Sequence, residues 1–174
     1  MTKRAAFWLV KLALLATAQA GGSVPSSACL PLRHIDITGI QKRLTAAEAL
    51  WKKRGPDAYR VSIDFKGVWA IYSFQLSVPR GESAWLFAYP VPPAVKSDVR
   101  VSTPGPALVA TYAVPGLFAR VRSVLKAARG AGACGILNVA FDPHDGHVRS
   151  LQNDSSGIID DEFLLTTSAL IPEP

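Results

Sequence analysis

The chain reads as an α+β domain: a hairpin-rich antiparallel sheet with one long amphipathic helix packed on one face and a short helix on its N-terminal side. Three observations predict this class. Residues 59–66 alternate apolar and polar with a period of two. Residues 117–128 carry an apolar stripe at helical spacing. Late in the chain two short apolar runs flank Asp142-Pro143-His144-Asp145-Gly146, a turn-forming string. Strands do not alternate with helices one for one, so no parallel crossover architecture is expected.

Residues 1–20 resemble a cleavable export signal. Lys3 and Arg4 form a positive start, residues 9–18 are apolar apart from Lys11, and Ala18-Gln19-Ala20 offers the small residues that cleavage needs. The apolar run falls short of the roughly 18 residues that span a bilayer, so no stable membrane anchor is expected after cleavage. The expected destination is the periplasm or the extracellular space. About 154 residues remain, the size of one domain. Residues 21–34 are small and rich in Pro and Ser, an extended arm, and residues 35–174 form the single α+β domain.

Thr45 with Glu48 three residues on has the form of a capping box, so the first helix is expected over 46–54, stopped by Gly55 and Pro56. Lys52, Lys53 and Arg54 complement the negative end of its dipole. Tyr59, Val61, Ile63 and Phe65 define one face of the first strand, Gly67 the turn, and residues 68–78 the returning strand. Residues 84–89 form a further strand. Two more strands are expected over 95–102 and 107–114, around Pro104-Gly105-Pro106. Pro115 then opens the long helix, with Leu117, Phe118, Val121, Val124, Leu125 and Ala128 inward, and Arg120, Arg122, Lys126 and Arg129 outward. Strands over 135–141, 147–153 and 163–171 complete the sheet.

The formal charge is +6, and removing Lys3, Arg4 and Lys11 with the leader leaves +3. Arg149 is the only base after residue 130, against seven acids, so that stretch carries −6 and the rest of the mature chain +9. Such a split either steers an anionic partner to the basic part or lets the two parts attract each other within the domain. The second is the expectation taken here, because solvated charge on helix faces is the common case.

Two cysteines, Cys29 and Cys134, lie far apart in a chain headed for an oxidising compartment, and a disulfide between them is expected. It would tie the arm to the start of a late strand, with a contribution of roughly 3 to 5 kcal/mol for a loop of that size. Histidines His34, His144 and His147 lack zinc-site spacing.

In order along the chain, Trp51 followed by Tyr59, a later amphipathic helix, Phe141-Asp142-Pro143 with Gly146, Asp154, and Asp160-Asp161-Glu162-Phe163 resemble an uncharacterised family of exported bacterial proteins and lipoproteins. That family carries a Tyr-Asp-Pro, Gly-Tyr-Pro, Asp, Asp-Asp-Glu succession near its C-terminus. The resemblance covers residues 46–170. Phe141 stands where Tyr is usual, Gly146-His147-Val148 where Gly-Tyr-Pro is common, and the first hairpin lacks the cysteines often found there. The resemblance implies an exported single-domain α+β protein and supplies no activity.

No catalytic residue is assigned: the sequence holds no Gly-x-Ser-x-Gly elbow, His-Glu-x-x-His, P-loop or Gly-x-Gly-x-x-Gly. The acidic residues Asp142, Asp145, Asp154, Asp161 and Glu162 form the one candidate cation site, for Ca²⁺, if the late hairpin gathers them. The competing expectation is that they cap turns and solvate loops. No other cofactor is expected. The aromatic residues of the first hairpins alternate with apolar neighbours rather than with bases, which argues for core and against nucleic acid. Trp69 and Trp85 are nevertheless the candidates for partner contact should they be exposed. The function expected is a non-catalytic cell-envelope protein that binds a protein, peptide or polymer through a sheet face. The alternative is a Ca²⁺-dependent module or hydrolase built on the acidic residues.

Overall fold

Leu44, Ile63, Leu76, Val121, Val148 and Leu165 have no measurable exposure, and they lie at the centre of an apolar core shared by a sheet and a layer of helices on one of its faces. A computed structural model describes residues 34–68, 71–80, 84–89, 106–132, 134–154 and 162–173. Its elements in order are α1 (Ile37–Arg54), β1 (Tyr59–Gly67), β2 (Ile71–Val78), β3 (Trp85–Tyr89), α2 (Pro106–Tyr112), α3 (Val114–Gly130), β4 (Ile136–Phe141), β5 (Val148–Asp154), β6 (Phe163–Thr167) and β7 (Ile171–Pro172). The strands are antiparallel throughout, in the order β3-β2-β1-β6-β5-β4, with β7 beside β1. The α+β class is as the sequence predicts.

The period-two alternation in β1 decides which face is covered. Tyr59, Val61 and Ile63 are buried, while Ser62, Asp64 and Lys66 are exposed. Register carries this face across the sheet: Ile63 lies opposite Phe74 on β2 and Thr167 on β6, and Leu165 lies opposite Leu151 on β5. Over these side chains α3 packs against β5, α1 against β4 and α2 against β3. Val114, Leu117, Phe118, Val121, Leu125 and Ala128 form the buried stripe of α3, and each large side chain among them contributes about 1.5 to 3 kcal/mol of transfer free energy.

Three elements differ from expectation. α1 begins at Ile37, not after Thr45, because Asp36 is the real N-cap: its Oδ1 accepts the Gly39 N–H at 2.8 Å. Thr45 sits inside the helix, its hydroxyl donating to the Gln41 carbonyl one turn back. Residues 107–114, expected as a strand, are helical: α2 spans Pro106–Tyr112 and α3 follows at Val114. Val109, Tyr112 and Val114 are all buried, so a run rich in β-branched residues takes the conformation that seats them on the core. The strand expected over 95–102 lies outside the described residues. The closing strand over 163–171 is broken into β6 and β7 by residues 168–170.

Candidate functional site

The expected acidic cluster is divided. Asp142 and Asp145 occupy the β4–β5 turn, before β5 begins, whereas Asp154 ends β5 and Glu162 stands before β6. Six residue steps separate the two ends of β5, about 20 Å, so one cation cannot bind both groups. Asp154 and Glu162 share a shallow hollow of about 270 Å³ with Lys66 and Gln152. Asp161 lies outside the described residues.

The turn itself is a dense network. Asp142 Oδ1 accepts the His144 N–H at 2.8 Å and its Oδ2 accepts from Arg149 at 3.2 Å. The backbone closes around it, with Asp142 N–H donating to the His147 carbonyl and Gly146 N–H to the Asp142 carbonyl. Burial pushes the Asp142 carboxyl up, but the His144 N–H, the Arg149 guanidinium and the charge of His147 together outweigh it and hold the group below the ordinary carboxylate range. Asp145 Oδ1 accepts twice from His147, from its N–H at 2.9 Å and from Nδ1 at 2.6 Å.

His147 is 1 % exposed, and its Nε2 meets the Ser168 carbonyl at 3.1 Å. Both ring nitrogens thus face oxygen atoms, one of a carboxylate and one of a backbone carbonyl. The Ser168 carbonyl is available because the Ser168 hydroxyl takes its place in the ladder, accepting the Ser62 N–H at 3.0 Å while Ser168 N–H donates to the Ser62 carbonyl. The order Asp145, His147, Ser168 looks like that of a nucleophilic triad. It is not one, since the imidazole addresses a carbonyl in place of the hydroxyl and is closed to solvent. Asp142, Asp145 and His147 bring their ligand atoms within 4.8 Å of one another, yet both Asp142 oxygens and Asp145 Oδ1 already accept protein donors. As folded, the group completes a turn with its own charges.

The sheet has a second, open face, which no helix among the described residues covers. In its middle stand Ser62, Ser73, Gln75, Ser150, Gln152 and Thr166, with Asp64 accepting from Ser73 at 2.6 Å and Asn138 donating to Gln152 at 3.0 Å. At its rim stand exposed apolar side chains: Trp85 at 41 % on β3, Ile71 at 56 % on β2, Ile136 on β4 and Ile171 on β7. Leu86, next to Trp85, is buried on the covered face, so Trp85 points to the open one. Trp85, expected as core, is therefore exposed, and so is Tyr72, on the covered side, while Phe74 is core. Trp69 lies outside the described residues. Glu173 folds back over one corner, pairing with Arg60 at 2.7 Å and accepting from Ser77 at 2.9 Å.

On the covered side an aromatic column, Phe163, Phe65, Tyr72, Phe74 and Tyr112, runs with ring centroids 4.9 to 6.3 Å apart. The Arg120 guanidinium lies over Phe65 and Phe163, at 5.3 and 4.6 Å from their centroids. Burial pushes the Tyr112 hydroxyl above its ordinary value, against the pull of Arg120. Cys134 is half-buried two residues before β4, where its backbone pairs with His34. No helix among the described residues is long and apolar enough to cross a membrane.

No family model, no curated protein and no solved structure matches this chain.

Proposed function

We propose that this chain is an exported, non-catalytic envelope protein that binds a protein, peptide or polymer through the open face of its sheet. The observation that carries the reading is Trp85, a large aromatic side chain 41 % exposed on an otherwise one-sided sheet. Single exposed apolar residues need no explanation, but Trp85, Ile71, Ile136 and Ile171 rim one polar face. Aromatic anchors at the edge of a surface of hydroxyl and amide groups suit a partner that is polar along its length and apolar in places. Export is supported by the leader-like residues 1–20 and by the resemblance to exported bacterial proteins. The same compartment would join Cys29 to Cys134. Cys29 lies outside the described residues, but it stands five positions before His34, whose backbone pairs with Cys134, and five residues reach at most about 17 Å.

The test is site-specific photo-crosslinking in the bacterial envelope, with the probe at Trp85 in one variant and at Ala140, on the opposite side of the same face, in another. A discrete partner adduct from both, absent when the probe is placed at Ala127 on α3, supports the reading. Adducts that do not distinguish the faces, or none, overturn it. A precursor found in the cytosol with residues 1–20 attached and both thiols open to alkylation overturns the compartment.

A further inference from the structure

The helical layer carries almost all of its charge with one sign. α1 holds Lys42, Arg43 and the run Lys52-Lys53-Arg54, and α3 holds Arg122, Lys126 and Arg129, all exposed; Glu48 is the only acid on either helix. Among the described residues only one ion pair, Arg60 with Glu173, joins a base before residue 131 to an acid beyond it. Arg149 pairs with Asp142 inside the acidic part, and among the described residues Arg122 alone of the helical bases has a carboxylate, Glu48. The surplus on the helices is thus left facing solvent, about +7 over two adjacent helices roughly 25 Å long.

The shape of this surface limits what it fits. Between the bases stand small exposed side chains, Thr45, Ala46 and Ala49 on α1, Ala119, Ser123 and Ala127 on α3, so the long basic arms reach beyond their neighbours. The only aromatic side chains on these helices, Trp51 and Phe118, are turned to the core, with Trp51 edge-on to Tyr59 and Phe118 buried. Single-stranded nucleic acid is held by aromatic stacking, and these helices offer no exposed aromatic side chain for it. A planar array of anionic headgroups is the complement: each base near such a surface contributes about 1 kcal/mol, a factor of about five in partitioning.

We propose that the outward surface of α1 and α3 docks the protein reversibly on an anionic phospholipid bilayer, with no insertion, leaving the open sheet face turned away from the membrane. This goes beyond the sheet-face reading and stands or falls separately from it.

The test is co-sedimentation with vesicles of phosphatidylglycerol and with vesicles of phosphatidylcholine, using residues 21–174, which retain every described element and lack the apolar leader. Binding to phosphatidylglycerol alone is expected, and it should vanish as salt rises and the screening length falls from about 10 Å to about 3 Å. The double variant Lys53→Gln/Lys126→Gln removes two exposed bases that make no ion pair among the described residues, and is expected to lower partitioning about 25-fold. Lys66→Gln, on the open face, is expected to leave it unchanged; far-UV circular dichroism and the melting temperature establish that both variants fold. Lys42→Gln/Lys52→Gln serves the same purpose if the first pair fails to fold. Equal binding to both vesicle types, no binding at low salt, or equal losses from Lys66→Gln and the double variant overturn the proposal. So does a DNA duplex that binds more tightly than the vesicles and displaces them, which would make nucleic acid the partner of this face.

Discussion

Gly146→Ala tests how the turn that holds Asp142 and His147 is seated against α1. Gly146 has φ +86°, a conformation that costs an L-residue roughly 1 to 2 kcal/mol. A methyl group there also meets the Ala47 carbonyl oxygen at 2.2 Å, where ordinary contact begins near 3.4 Å. Either α1 or the turn must therefore retreat by more than 1 Å. Retreat is resisted on both sides, since Ala47 is buried in the core and Gly146 N–H closes the turn onto Asp142. Overpacking of this kind costs about 1 to 3 kcal/mol, for a combined loss of about 2 to 5 kcal/mol. The matched control is Gly130→Ala at the end of α3, where an added methyl group meets nothing within 4 Å and φ is unexceptional; a gain of up to about 1 kcal/mol is expected there. Urea unfolding followed by tryptophan fluorescence measures both. A Gly146→Ala variant within about 0.5 kcal/mol of the parent would show that the helix does not press on the turn.

Asp142→Asn is expected to cost about 1 to 3 kcal/mol near neutral pH by weakening the bonds to His144 and Arg149. The Asp142 carboxyl titrates below its ordinary 3.8 in the folded protein, so its contribution is complete above that value and is lost as pH falls through the lower folded value. Urea midpoints of parent and variant should converge on acidification, and a gap independent of pH refutes the assignment. Tyr59→Phe is expected to cost about 1 to 3 kcal/mol, because the Tyr59 hydroxyl accepts the buried Val114 N–H at 3.1 Å where α3 begins. Burial raises Tyr59 above 10.0, so the neutral phenol is favoured in the fold and stability is lost as pH rises past 10.0. The variant should lose less stability than the parent between about pH 8 and about pH 11, and parallel losses would place the alkaline sensitivity elsewhere.

The elements most legible in the sequence were those whose burial is periodic. Leu117 to Ala128 could be read directly because one stripe of α3 meets the core for its whole length. β1 could be read because one face is wet and the other dry. The start of α1 could not, since Ile37-Thr38-Gly39 is a poor helix former and the Thr45-x-x-Glu48 pattern offered a better local cap. What decides it is the spacing of Ile40, Leu44 and Ala47, which only a helix can bury together. The acidic residues were legible as residues but not as a site. Sequence gives their order, whereas the length of β5 decides that Asp142 and Glu162 stand at opposite ends of a strand. Arg122, Lys126 and Arg129 were legible as the solvent side of α3, but that Arg122 finds Glu48 of α1 while no ion pair among the described residues holds Lys126 or Arg129 depends on which helix lies beside them.

His147 is the joint between two parts of the sheet. β1 offers one edge to two strands in succession, β6 and then β7, and a continuous strand would have spent the Ser168 carbonyl on that edge. The Ser168 hydroxyl replaces it there, and the carbonyl turns to His147 Nε2. From the other side Asp145 holds Nδ1, and the Thr167 hydroxyl donates to the Val148 carbonyl at 2.7 Å. The β4–β5 turn is thereby fastened to the break that lets β7 and Glu173 cross to Arg60 and Ser77. Removing one partner of a buried hydrogen bond leaves the other unsatisfied and costs more than the bond contributes, so His147 and Asp145 act together. Their cost in side-chain burial is met by a geometry that apolar side chains could not supply: an acceptor on each side of one ring, joining two chain segments 21 residues apart.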